Sequence, residues 1–114
     1  MPYLGIHISK KLSEETQDRI KREIGQVINL IPNKREEVLM IEFLKGEAMY
    51  LGGVKSEDIA YIDLKCYKKA PYEENKAFTE QVYRILKETL GLESGQVYLT
   101  IAEYDNWGSK GTLK

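Results

Sequence analysis

Pro2-Tyr3-Leu4-Gly5-Ile6-His7-Ile8 decides how the rest of this chain reads. Leu4, Ile6 and Ile8 alternate with Tyr3, Gly5 and His7, the period of a half-buried strand. The run opens on a proline directly behind Met1. Methionine is commonly removed before a small residue, and its removal would leave a secondary amine as the first atom of the chain. A proline inside a chain has no titratable nitrogen and is tolerated at a strand's first position, where a missing N–H costs nothing. A terminal proline carries an amine of the kind that titrates near about 8.

Moving outward, Ser13 is placed to cap a helix, and Glu14 and Glu15 suit a first turn whose free amides attract negative charge. Ile20, Ile24, Val27, Ile28 and Ile31 recur at three- and four-residue steps, one apolar stripe on a helix of about five turns that Pro32-Asn33 should end. Val38 to Leu44 is apolar apart from Glu42 and reads as a strand. The pattern then repeats. Ile59 to Cys66 alternates, Phe78, Val82, Ile85, Leu86 and Leu90 make a second helical stripe with Gly91 as its C-cap, and Val97 to Glu103 closes as a strand. Val38 lies 36 residues after Pro2 and Val97 lies 38 after Ile59, so the halves share a stride. The expected fold is α+β: one domain over 1–114, with βαβ units at 2–44 and 59–103 building a four-stranded mixed sheet. Right-handed crossovers would put both helices on one face. The other face would be left open, and copies of the same sheet would cover it in a closed oligomer. A ferredoxin-like regulatory domain has the same element order, and the pattern does not separate the two.

Seventeen basic and eighteen acidic residues give a formal charge of -1, which provides no footprint for nucleic acid or an anionic membrane. With no basic and apolar leader and no apolar stretch near the length of a membrane span, a cytoplasmic protein is expected. Cys66 is the only cysteine and His7 the only histidine, which argues against disulfides, a zinc site and a serine–histidine–acid triad. No metal or other cofactor is expected. The chemistry left needs a different base. Val38, Leu39 or Met40 as apolar walls, and Lys34 as a nearby ammonium, would favour an uncharged Pro2 amine able to take a proton α to a carbonyl. Lys34 precedes the strand expected beside the first, so its stem can reach the sheet end where Pro2 opens. It can equally pair with Glu36 or Glu37 as a solvated loop residue. Tyr98 and Thr100 share one face of the last strand, as pocket wall or as interface. Trp107 would lid a pocket or anchor the tail against a neighbour. Gly52-Gly53 reads as a tight turn, and His7 as a satisfied or interface residue.

Pro2 at the first strand, the βαββαβ order, Lys34 before the second strand, Gly52-Gly53, Val97-Tyr98-Leu99 and Asn106-Trp107-Gly108 occur in one order and spacing. In these the chain resembles the macrophage migration inhibitory factor family of the tautomerase superfamily, over nearly its whole length. Its tail, Asn106 to Leu113, looks like a shortened form of the family's, with Ser109 in place of a second tryptophan and Leu113 in place of a phenylalanine. The resemblance implies a homotrimer with pockets at subunit boundaries, and cofactor-free keto–enol isomerisation of a small α-keto or enol carboxylic acid such as phenylpyruvate. By position it makes Pro2 the catalytic base and sets Lys34 at the substrate's negative end. Tyr67 supplies a backbone amide, and Tyr98 reaches in from a neighbouring subunit with Thr100 beside it. Val38 and Trp107 cover the substrate's ring or alkyl part. Val38 stands where the cytokine has a pocket tyrosine, Thr100 where it has an asparagine, and its Cys-x-x-Cys is absent, so thiol–disulfide chemistry is not implied. The alternatives are a non-enzymatic trimeric binding protein of the same fold and a ferredoxin-like regulatory domain.

Overall fold

The structure, a computed structural model, describes residues 2–114; Met1, whose removal would free the Pro2 nitrogen, lies outside the described residues. After β1 (Pro2–Ile8), the Ser13 side chain accepts a hydrogen bond from the Thr16 amide at 3.1 Å and starts α1 (Glu14–Val27). The regular helix ends earlier than its apolar stripe. Ile28–Leu30 tighten into a 3-10 turn and Ile31 is extended, as a residue before proline tends to be. Ile28 and Ile31 are nevertheless buried in the core. The second strand also starts later than Val38. Glu36–Val38 wind into another 3-10 turn, and β2 spans Met40–Lys45.

Gly52 and Gly53, with φ of 61° and 79°, turn a small hairpin of β3 (Tyr50–Leu51) and β4 (Val54–Lys55). β5 (Ala60–Tyr67), α2 (Tyr72–Leu90) and β6 (Val97–Tyr104) form the second unit, and Gly91 ends α2 in the left-handed conformation at φ 69°. A second hairpin follows that the sequence reading does not anticipate, β7 (Gly108–Ser109) with β8 (Thr112–Leu113).

The main sheet has the order β2-β1-β5-β6. β1 runs parallel to β2, β5 parallel to β6, and the central β1–β5 pair is antiparallel. One face presents Leu4, Ile6, Ile8, Ile62 and Leu64 to Ile20 and Ile24 of α1 and to Phe78, Val82, Ile85 and Leu86 of α2. No helix covers the other face. There the Tyr3 hydroxyl donates to Glu42 at 2.6 Å, Lys65 pairs with Asp63, the His7 and Tyr61 rings lie 5.5 Å apart, and Tyr98 is exposed. The bond to Glu42, followed by burial, pushes the Tyr3 hydroxyl up to about 12, so it stays a donor at neutral pH. Among the described residues no helix is long and apolar enough to cross a membrane.

The energetic difference between core and cap is measurable. Phe78 is fully buried, and Phe78→Ala should cost about 3–5 kcal/mol of unfolding free energy. Ser13→Ala should cost about 1 kcal/mol, the loss of one capping bond. Denaturant unfolding of the two variants checks the order.

Candidate active site

Three segments meet at the end of the sheet where β1 begins: the start of β1, the end of β5 and the loop leading into β2. With the C-terminal hairpin they enclose a cavity of about 680 Å³. Pro2 lines it as the first residue of β1, buried and in register with Cys66 of β5. Val38, Met40, Tyr67 and Trp107 also line it, and give it much of its apolar surface. Leu39 instead packs against the core.

Lys34 is the least expected of these residues in its burial, at 7% exposed. Its ammonium donates to the Tyr67 carbonyl oxygen at 2.8 Å, its one side-chain bond among the described residues. An ammonium has three donors, so two remain for a ligand. The sequence leaves open a solvated pairing of Lys34 with Glu36 or Glu37; the structure assigns the contact with Glu37 to Arg35, at 3.9 Å. Glu36 packs over Gly25 of α1, where a Cβ would come within 2.1 Å of the carboxylate. A glycine inside a helix costs up to about 1 kcal/mol relative to alanine, and here it lets the loop carrying Lys34 and Val38 sit down on α1. Burial pushes the Cys66 thiol up, while the charge of Lys34 pulls the other way. The net effect is a neutral, enclosed thiol, unsuited to nucleophilic work.

The tail closes the remaining side. The amides of Trp107 and Lys114 each donate to the other's carbonyl oxygen, and the Asn106 side chain donates to the Lys114 carbonyl at 3.0 Å. Folded back this way, Trp107 is anchored within its own chain, 6.2 Å from the Tyr104 ring, and also lines the cavity. The hairpin brings in Ser109 and Lys110.

Five sequence-derived site residues therefore converge: Pro2, Lys34, Val38, Tyr67 and Trp107. Tyr98 and Thr100 do not line this cavity. Tyr98 is 64% exposed and Thr100 is hydrogen-bonded to the Tyr61 hydroxyl, both on the helix-free face. His7 also lies off the cavity, within 4.0 Å of Glu47. Sequence reasoning missed Tyr3, Asn33, Arg35, Lys68 and Lys110. Two of them carried slight signals: Lys68 is a charged residue straight after β5, and Gly111 marks a turn at Lys110.

Arranged in this way, the cavity offers a proline at a strand start, an apolar enclosure and a cation with spare donors. The sequence matches the macrophage migration inhibitory factor (MIF) family over residues 1–113. No curated protein matches it. The crystal structure of Leishmania major MIF2 is similar over 100% of this chain and 97% of that one, with 18% identity and a TM-score of 0.88. The macrophage migration inhibitory factor-like protein of Entamoeba histolytica is similar over 99% and 98%, with 21% identity and a TM-score of 0.84. The F6 fused 4-OT, described as a wild-type asymmetric trimer, is similar over 96% and 94%, with 16% identity and a TM-score of 0.83. At these identities the structures speak to the fold alone, which this chain shares with them. Matched along nearly its full length, the chain belongs to the macrophage migration inhibitory factor family.

Proposed function

We propose that the protein is a proline-based keto–enol tautomerase, working without a cofactor on a small 2-oxo acid or its enol of the phenylpyruvate kind. The observation that carries this reading is the placement of buried Pro2 on the same cavity as the ammonium of Lys34. With Met1 removed, the Pro2 nitrogen is a secondary amine. Apolar surroundings disfavour its charged form and nearby cations act in the same direction, so a value near about 8 for a free terminus would move toward neutrality.

The reaction needs nothing more than a proton moved within one molecule. The neutral amine takes the C3 proton of the 2-oxo acid, and the electron pair of that C–H bond becomes the C2–C3 double bond of an enolate. The same nitrogen, now protonated, delivers the proton to the C2 oxygen, and the reverse sequence ketonises the enol. Negative charge grows on the oxygen between the two steps. Lys34 holds the carboxylate and favours that growing charge, which lowers the barrier. Val38 and Trp107 exclude water around the rest of the substrate.

The Tyr67 backbone amide joins Lys34 at the carboxylate end, and Tyr98, with Thr100 beside it, meets the carbonyl side from an adjacent subunit. A trimer is supported by the uncovered sheet face, by the exposure of Met40 and Tyr98, and by the description of the fused 4-OT as a trimer. A solution mass of three chains is the expected result, and a monomer or dimer contradicts the shared pocket.

Protein whose intact mass proves loss of Met1 should ketonise phenylpyruvate enol, and Pro2→Gly should lower kcat/KM by about 10²-fold or more. Protein retaining Met1 should be inactive, since an acylated nitrogen is no base. Lys34→Met keeps the apolar stem and removes the charge; kcat/KM should fall by about 10²-fold with the circular dichroism spectrum unchanged.

A further inference from the structure

The charge around the cavity differs from that of the chain. Acidic and basic residues nearly balance overall, yet Lys34, Arg35, Lys68, Lys110 and Lys114 line the cavity and no aspartate or glutamate does. Lys34 is engaged with the Tyr67 carbonyl, and Arg35 meets Glu37. The Lys68 ammonium lies 5.1 Å from the centroid of the Tyr67 ring. Neither Lys68 nor Lys110 makes an ion pair among the described residues. A substrate with one carboxylate is served by Lys34 and leaves these two cations without a counter-charge.

Backbone conformation points the same way. Among the described residues, the non-glycine residues with positive φ are Asn33 at 65°, Lys68 at 70° and Lys110 at 54°. All three line this cavity. Asparagine tolerates that region; lysine has no such advantage, and glycine would adopt it without a Cβ clash. Lys110 precedes Gly111, at φ 81°, in the two-residue turn between β7 and β8, where Asn-Gly is the favoured pair. Strained positions gathered at one cavity mark a site where side-chain identity outweighs local stability.

We propose that the pocket takes a 2-oxo dicarboxylate, with its keto-acid end at Lys34 and its distal carboxylate between Lys68 and Lys110. This rests on the tautomerase reading given above. A carboxylate fits better than a phosphate, because phosphate sites draw on amides at helix N-termini and neither α1 nor α2 begins on this cavity.

2-Oxoglutarate and 2-oxopentanoate are a matched pair, identical except for carboxylate or methyl at C5. Exchange of the C3 protons in deuterated water reports catalysis, and quenching of Trp107, the only tryptophan, reports binding. The dicarboxylate should be favoured by about tenfold or more in both at low salt, and the ratio should shrink near about 0.5 M salt. Lys68→Asn with Lys110→Asn should bring the ratio close to one while melting at the same temperature or higher. A ratio near one in the unaltered protein, a ratio untouched by the double variant, or a lower melting temperature would each overturn the proposal. Binding preference without Pro2-dependent exchange of either acid overturns the tautomerase reading and leaves the dianion site standing. Pro2-dependent exchange without preference does the reverse.

Discussion

β1 is hydrogen-bonded on both sides, parallel to β2 and antiparallel to β5, and buried backbone groups of this kind must stay paired. A slip of one residue would turn Leu4, Ile6 and Ile8 to the polar face, so the register is fixed by burial as well as by hydrogen bonds. That register sets Pro2 opposite Cys66 and Tyr3 opposite Met40. The cavity is a consequence. It lies where one strand starts, an antiparallel strand ends and a parallel one is about to begin, so chain segments distant in sequence share one end of the sheet.

Other features hold the furnishings of that end in place. Gly25 gives Glu36 room against α1, which seats the loop bearing Lys34 and Val38. The Tyr67 carbonyl then takes the Lys34 ammonium, so a costly buried charge is not left without a partner. The closing hairpin depends on two backbone bonds between Trp107 and Lys114 and on a left-handed turn at Lys110-Gly111. A rigid sheet thus presents adjustable loops, a division that favours one scaffold hosting different ligands.

The two sheet faces behave as different materials. The covered face is almost wholly aliphatic. The uncovered one carries Tyr3 with Glu42, Lys65 with Asp63, and Tyr61 with Thr100. These side chains largely satisfy one another within a single chain, and so a second sheet could pack there without stranding many polar groups.

Much of this was legible in the residues. Strict alternation in Pro2–Ile8 and Ala60–Tyr67, the stripe from Ile20 to Ile31, Ser13 and Gly91 specify strands, helices and their ends, because those signals are local and periodic. Element ends were less legible where neighbours compete: Pro32 forces Ile31 extended, and the 3-10 turn at Glu36–Val38 takes Val38 out of the strand. The short hairpin at the tail has no apolar period to announce it. The sequence by itself determined the order of elements, which faces are buried, and that a proline stands at the head of a central strand. Only the tertiary structure decided that Lys34 is buried against Tyr67 rather than solvated, that Tyr98 and Thr100 stand away from the cavity of their own chain, and that cations from separate segments gather around Pro2. Periodicity is a property of neighbours along the chain, whereas the charge and walls of a pocket come from residues that only the sheet's register brings together.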